Sequence, residues 1–288
     1  MDGLLPYREA AVPFLPSITT LRRCAVVLGA AVLGACGQRN PAESIAGAAG
    51  VPGYLAGATA YTLPARADDV AVAAHAYAAN AVGTDLPVLS TPPVATPARG
   101  ALVLVQVLTQ SPATLQSVQD NLGNVYRPVG SVQTYSQQHA GTALYASVDA
   151  QGGAGQSWSL VKAAGHAADE ASLYVVVLHG AHAIGAWAFS NTAPYGLRTP
   201  LTTTTAGSIV VSFWGPADYS GSARDPLNPY FPPSGWTLGG QNDNGYNQCS
   251  GAYAWTRVPA AGTVLDPQWS AKKSVRADGS MWLVEARR

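Results

Sequence analysis

ALVLVQVLT, residues 101–109, is apolar at seven of its nine positions and holds neither glycine nor proline. SLYVVVLHG, residues 172–180, is nearly as apolar, with six consecutive apolar residues from Leu173 to Leu178. A short, nearly continuous apolar run of this kind reads as a strand covered on both faces. Working outward, shorter runs rich in Val, Leu, Tyr, Trp and Thr recur at Asp69–Ala78, Asn124–Val129, Thr142–Val148, Ser157–Lys162, Ser208–Trp214, Ala252–Val258 and Met281–Ala286. Gly, Pro, Asn and Asp punctuate them. That pattern predicts an all-β sandwich or barrel. In MWLVEA, residues 281–286, Trp282, Val284 and Ala286 share one face, and Met281, Leu283 and Glu285 share the other. The Asp278-Gly279 turn predicts a terminal hairpin between Lys272–Arg276 and Met281–Ala286. After residue 36 no long run has helical periodicity, and no internal repeat is evident.

The amino-terminal end reads differently. LRRCAVVLGAAVLGACGQRN, residues 21–40, begins with Arg22 and Arg23 and continues through an eleven-residue apolar core, Ala25–Ala35. A bilayer span needs about 20 residues, so this core fits the h-region of a secretory signal instead. The ending Leu33-Gly34-Ala35-Cys36 resembles the lipobox of bacterial lipoproteins. That resemblance implies a diacylglyceryl group on the Cys36 thiol, cleavage before Cys36 and acylation of the new amino terminus. Two or three chains anchor firmly where one is marginal. The membrane is therefore an expected partner through the lipid. Gly37, rather than Asp, follows the cysteine, and by the same resemblance this favours the outer membrane or cell surface. The segment before Arg22 carries Pro6, Pro13 and Pro16 and is long for a signal n-region. A translation start near Leu21 would account for it.

Cleavage before Cys36 leaves 253 residues with 13 of the 16 basic and 14 of the 16 acidic side chains, a net charge of −1. With no basic stripe to collect phosphates, nucleic acid is not an expected partner. Charged residues make up only 11% of the chain, so Gly, Ser, Thr, Asn and Gln carry the solvation. Of the three cysteines, Cys24 lies in the signal, Cys36 takes the lipid and Cys249 stands alone as a small buried residue. Residues 37–65, rich in Ala, Gly and Pro, read as a flexible tether from residue 36 to a single domain over 66–288.

The ordered pieces GALVLVQVL, SVQDNLGNVYRPVG, TALYASVDAQGG, SLYVVVLHGA, TTTTAGSIVVSF, GAYAW and MWLVEA resemble a β-sandwich module of secreted and surface bacterial proteins and some phage tail proteins. Such modules carry an S-V-x-D-x-x-G-N-x-Y hairpin. The resemblance implies a single antiparallel β-sandwich, jelly-roll, concanavalin-like or Ig-like. Asp120, Gly123 and Asn124 would shape the turn, and Tyr126 would point back into the sandwich. It implies no catalytic residues.

The chemistry offered by the mature chain is sparse. It has three glutamates, Glu43, Glu170 and Glu285, and most of its aspartates sit in turn contexts. No nucleophile elbow, P-loop or dinucleotide fingerprint is present. His179 and His182 lack a third ligand, and QNDNG at 241–245 lacks the carboxylates of a calcium loop. No metal or cofactor is therefore expected. The long stretch from Gly215 to Gly251 is the candidate ligand surface. It gathers Tyr219, Tyr230, Phe231 and Trp236 with Asn242, Asp243 and Asn244. Exposed rings beside amides and carboxylates suit sugars, since rings pack on C–H faces and polar groups read hydroxyls. The alternative is that these aromatics plug the end of the sandwich. The expected role is non-catalytic binding or adhesion to a glycan or another surface protein. Two rivals stand. One is a concanavalin-like glycoside hydrolase or lyase using Asp218 or Asp225 with Asp243. The other is a prophage-derived, assembly-forming structural protein.

Overall fold

In the computed structural model the described residues are 54–63, 69–191, 198–220, 224, 227–243, 248–275 and 279–288. The signal segment, Cys36 and the tether up to residue 53 lie outside them, as do Asp225 and Asn244. In chain order the strands are β1 (Tyr54–Ala60), β2 (Ala71–Asn80), β3 (Val88–Ser90), β4 (Ala101–Thr109), β5 (Leu115–Asp120), β6 (Arg127–Pro128) and β7 (Gln133–Tyr135). They continue with β8 (Ala140–Ala150), β9 (Trp158–Lys162), β10 (Ala171–His179), β11 (Ala183–Ser190), β12 (Leu201–Thr202) and β13 (Ser208–Gly215). The last are β14 (Tyr230–Phe231), β15 (Thr237–Asn242), β16 (Gly251–Val258), β17 (Val264–Leu265), β18 (Ser270–Ala271) and β19 (Ser280–Arg287). No α-helix occurs among the described residues.

The fold is an all-β antiparallel sandwich. A seven-stranded sheet runs β1-β2-β10-β4-β8-β6, with β7 also on β8. A five-stranded sheet runs β11-β19-β13-β16-β15, and a three-stranded sheet runs β3-β9-β5. The two apolar strands β4 and β10 pair at the centre of the largest sheet, with Val105 opposite Val175. Both faces are covered. Leu102, Leu104, Leu108, Tyr174, Val176 and Leu178 pack with Ile209, Val211, Phe213, Tyr253, Trp282 and Val284 of the five-stranded sheet. Val103, Val105, Val107, Leu173, Val175 and Val177 pack with Leu89, Trp158 and Leu160 of the three-stranded sheet. Successive side chains of a strand point to opposite faces, so both must be apolar here. Gln106, the polar exception in ALVLVQVLT, is buried and donates to Thr142 Oγ1 at 3.0 Å. The same hydroxyl accepts from Trp282 Nε1 at 3.1 Å, which ties the two large sheets together.

The outer face of the five-stranded sheet is also covered. Trp214, Tyr230, Ala252, Trp269 and Met281 form one small cluster, and Leu201, Val210, Val258 and Leu283 another. The alternation of MWLVEA is as expected, because Trp282, Val284 and Ala286 face the main core while Met281 and Leu283 face these outer clusters.

Three expectations are corrected. The carboxyl-terminal strand is not half of a hairpin with residues 272–276: β19 lies between β11 and β13, and β18 pairs β14. A run of alternating residues states which face is buried but not which strand lies beside it. The S-V-x-D-x-x-G-N-x-Y stretch is likewise no hairpin. Its first arm, β5, pairs β9 in the three-stranded sheet, whereas β6 pairs β8 in the seven-stranded one. The turn thus carries the chain from one layer to the next. Finally, residues 54–60 of the presumed tether form β1, paired residue for residue with β2. Gly57 is required there, since a Cβ would lie 2.6 Å from the Tyr77 ring.

Leu104→Ala and Leu173→Ala empty opposite faces of the same sheet. Each is expected to lower the unfolding free energy by about 2–5 kcal/mol. Val148→Ala, at an exposed site, is expected to change it by less than about 0.5 kcal/mol. Denaturant unfolding of the three variants checks this. A Leu173 variant as mild as the Val148 one would contradict the covering of the second face.

Candidate functional site

The long stretch after β13 is held by one carboxylate. Asp218 is fully buried; its Oδ1 accepts from Ser220 N at 2.8 Å. Its Oδ2 accepts from Asn228 Nδ2 at 2.8 Å and from Tyr230 OH at 2.9 Å. Asn228 in turn accepts from Lys273 N at 2.6 Å, and its own N–H donates to Asp243 O at 2.8 Å. Tyr230 N donates to Gln241 Oε1 at 2.9 Å. The loop is thereby fixed over the outer face of the five-stranded sheet, where Trp214 stacks on Trp269 with ring centroids 5.5 Å apart.

This order sorts the expected ligand residues. Tyr230 is only 1% exposed and Asn242 only 2%, so neither reaches the surface. They belong to the packing of the sandwich end, and the sequence stretch that reads as a ligand surface is in part a plug. Asn242 donates to Ser172 Oγ at 3.3 Å across the two large sheets. Tyr219 and Phe231 stay outside, at 44% and 50% exposure. The Tyr219 hydroxyl donates to Gln248 Oε1 at 2.7 Å. Trp236 is half-buried against the outer clusters. It lines a groove of about 320 Å³ with Pro233, Ser234, Leu265, Asp266 and Gln268. Asp266 pairs there with Arg198. Asp243 is half-buried, and burial pushes its carboxyl above the ordinary value. The hydrolase pairing drew on Asp218, Asp225 and Asp243. Asp218 is committed to its three donors, and Asp225 lies outside the described residues.

The glutamates are also used inside. Glu285 is buried, and its carboxylate accepts from the backbone N–H groups of Ala186, Thr204 and Thr205 and from the Thr204 hydroxyl. Burial pushes its carboxyl up, but these donors outweigh burial and hold it below the ordinary value. Glu170 accepts from Cys249 N, and burial raises its carboxyl to about 7. Cys249 is a buried free cysteine whose thiol is pushed well up by burial, so it carries no thiolate. Near the β2–β15 side, His75 contacts Tyr61 OH at 3.0 Å and Tyr253 OH at 2.6 Å. Burial lowers its pKa to about 4, which keeps it neutral. Among the described residues no group of three His, Cys, Asp or Glu side chains could hold a metal ion.

A second, larger hollow lies elsewhere. About 630 Å³ is enclosed by Asn124, Val125, Arg127, Val129, Val148, Asp149, Gln151, His182 and Ile184, among others. Its base is the turn that links β5 to β6. Asp120 Oδ1 accepts from Leu122 N and Asn124 N, and Oδ2 accepts from Asn124 Nδ2, Tyr126 OH and Gln156 Nε2. Burial pushes the Asp120 carboxyl up, and these bonds more than offset it, leaving it below the ordinary value. Tyr126 OH accepts from Trp158 Nε1 at 2.7 Å, so the tyrosine packs toward the second core rather than between the two large sheets. Gly123 holds φ +77°, the left-handed region that glycine adopts freely. His179 and His182 flank the crossing from β10 to β11, where Gly180, at φ +69°, lies against the Asp69 carbonyl. No sequence signal marked this hollow, because its walls come from three separate segments of chain.

Compared with protein-family models, curated proteins and solved structures, the chain matches none.

Asp120→Ala leaves the Tyr126, Gln156 and Asn124 donors without their acceptor. It is expected to destabilise by about 2 kcal/mol or more, read as a loss in thermal midpoint. A midpoint within a degree of wild type would mean that the turn is not held by this carboxylate. Glu170 gives a pH-dependent expectation. Its folded pKa lies above the ordinary 4.5, so the protonated form is the better folded one. Its contribution is whole below the unfolded value, falls as pH rises through the interval up to about 7, and is level above that. Glu170→Gln is therefore expected to be more stable than wild type at pH 8, by on the order of 3 kcal/mol at most. The advantage should vanish at pH 4.5 and below; an advantage constant with pH would contradict the raised carboxyl.

Proposed function

We propose that the chain is an exported lipoprotein, anchored through Cys36, whose β-sandwich serves at the cell envelope as a non-catalytic binding module for glycans. The observation that carries this reading is the Trp236 groove. An indole, held by the outer clusters, forms one wall beside the carboxylate of Asp266 and the amide of Gln268. A ring face for C–H groups next to acceptors and donors for hydroxyls is what a sugar requires. Phe231 and Tyr219 add exposed rings on the same long stretch. The engagement of Asp218 with Ser220, Asn228 and Tyr230 weighs against the hydrolase alternative, because a general acid or nucleophile must be free to meet substrate. No helix among the described residues is long and apolar enough to cross a membrane; in this reading the lipid supplies the attachment.

The test is a panel of neutral and acidic polysaccharides offered to the full chain in detergent, with retention and release of reducing or unsaturated ends both recorded. Retention without release is expected, with Trp236→Ala weakening retention of neutral glycans about tenfold. Release of new ends would contradict the non-catalytic reading. Retention untouched by the Trp236 variant would contradict the placement of the site.

A further inference from the structure

The hollow at the β5–β6 turn adjoins a smaller one of about 350 Å³, lined by Ala98, Arg99, Asp149 and Gln151. Asp149 and Gln151 belong to both hollows and form the wall between them. That wall is fixed. Asn124 Nδ2 donates to Gln151 O at 2.8 Å, and Gln151 N donates to Asn124 Oδ1 at 2.8 Å. Asn124 is itself held by Asp120 Oδ2 at 2.7 Å. Asp149 sits at φ +54°, which an aspartate tolerates better than most residues.

The charges are shared out over the two hollows. Arg127 stands in the larger hollow and Arg99 in the smaller, each exposed. Among the described residues neither guanidinium makes a hydrogen bond or ion pair. Asp149 lines both hollows, and its exposed carboxylate lies 3.5 Å from His182 Nδ1. The larger hollow is also lined by the apolar Val125, Val129, Val148 and Ile184, beside the polar Asn124, Ser147 and Gln151. Its size is that of ordinary ligand pockets, about 300–1,000 Å³.

We propose that this double hollow binds an acidic polysaccharide in which carboxylate-bearing and neutral sugar units alternate. An arginine presents a forked donor that matches a carboxylate. Two such forks, one in each hollow with the Asp149 carboxylate on the wall they share, suit two anions with a neutral, hydroxyl-bearing unit between them. Asp149 accepts hydroxyl hydrogens from that unit and repels an anion in its place. The valine and isoleucine walls take the C–H faces of the ring. A nucleic acid, with a charge on every unit, meets the Asp149 carboxylate at the dividing wall and fits less well. The proposal extends the glycan reading of the domain but uses none of the residues of the Trp236 groove.

The test uses the full chain in detergent and three probes: hyaluronan fragments, in which uronate and neutral amino sugar alternate; polygalacturonate, acidic at every unit; and neutral dextran. Binding is measured by calorimetry at low and moderate salt. Wild type is expected to bind the alternating polymer, more weakly as salt rises, and to prefer it to both others. The Arg99→Ala/Arg127→Ala double variant, checked for an unchanged thermal midpoint, is expected to lose binding at least about tenfold. Asp149→Asn, which keeps a residue tolerant of positive φ, is expected to raise affinity for polygalacturonate. Trp236→Ala is expected to leave binding of the alternating polymer unchanged, which separates this site from the Trp236 groove. Equal binding of polygalacturonate and the alternating polymer by wild type would overturn the proposal. So would a double variant that binds like wild type, or no binding of the alternating polymer by wild type at low salt.

Discussion

The structure depends on burying one sheet from both sides. Strands β4 and β10 run side by side through the seven-stranded sheet and contribute leucines to one core and mainly valines to the other. A fully buried Leu or Val is worth about 1.5–3 kcal/mol relative to an exposed one, and here the leucines and valines on both faces of the central strands gain it. The cost is that the sheet needs two covers. The five-stranded sheet is one cover. The three-stranded sheet, together with the Asp120 turn that connects it back to the central layer, is the other. Both candidate surfaces follow from this layering. The Trp236 groove lies where loops cover the outer face of the five-stranded sheet. The double hollow lies beside the turn where the chain passes between layers.

A chain with few charges spends several of them on internal contacts, with Asp218, Glu170 and Glu285 buried and Asp120 half-buried. Asp120, Asp218, Glu170 and Glu285 each accept backbone or side-chain donors at a place where a loop must meet a sheet. A buried carboxylate is stable only when its lone pairs are filled by donors, and Asp120, Asp218 and Glu285 each have three or more. Glu170 has Cys249 N as its recorded donor, and it is the one whose carboxyl rises toward neutrality. The acidic groups that seemed to offer chemistry thus act first as loop anchors. Arg99 and Arg127 of the double hollow differ in having no such partner among the described residues.

Much of the fold was legible in the sequence because burial dictates composition. The runs at 101–109 and 172–180 could be read as doubly covered strands, since no polar face is left in them apart from Gln106 and the terminal hydroxyls. Among the strands that escaped notice, β1 and β15 are ones in which a large aromatic neighbour fills the place of a side chain. β1 carries Gly57 under Tyr77, and β15 carries Gly239 and Gly240 under Tyr253, Trp255 and Tyr77. In each, a glycine breaks the apolar pattern because the ring that fills its place sits elsewhere in the chain. Pairing was less legible than burial, as β19 shows, because its neighbours β11 and β13 lie far from it in sequence. At the site, Trp236, Phe231 and Tyr219 could be found from one stretch. Tyr230 and Asn242 belong to the same stretch but are drawn inward by Asp218 and Ser172. The double hollow left no local mark, for its two arginines are ordinary residues until four chain segments meet.

Native-state hydrogen exchange, resolved by segment on the full chain, measures the two-sided burial directly. Amides of residues 103–107 and 173–177 are expected to exchange last, through global unfolding alone, while the three-stranded sheet and the β12–β17 and β14–β18 ribbons open at lower free energy. Exchange of the central segments at the same rate as β3 and β5 would contradict the account, because it would mean that the middle sheet is not the element on which the rest is built.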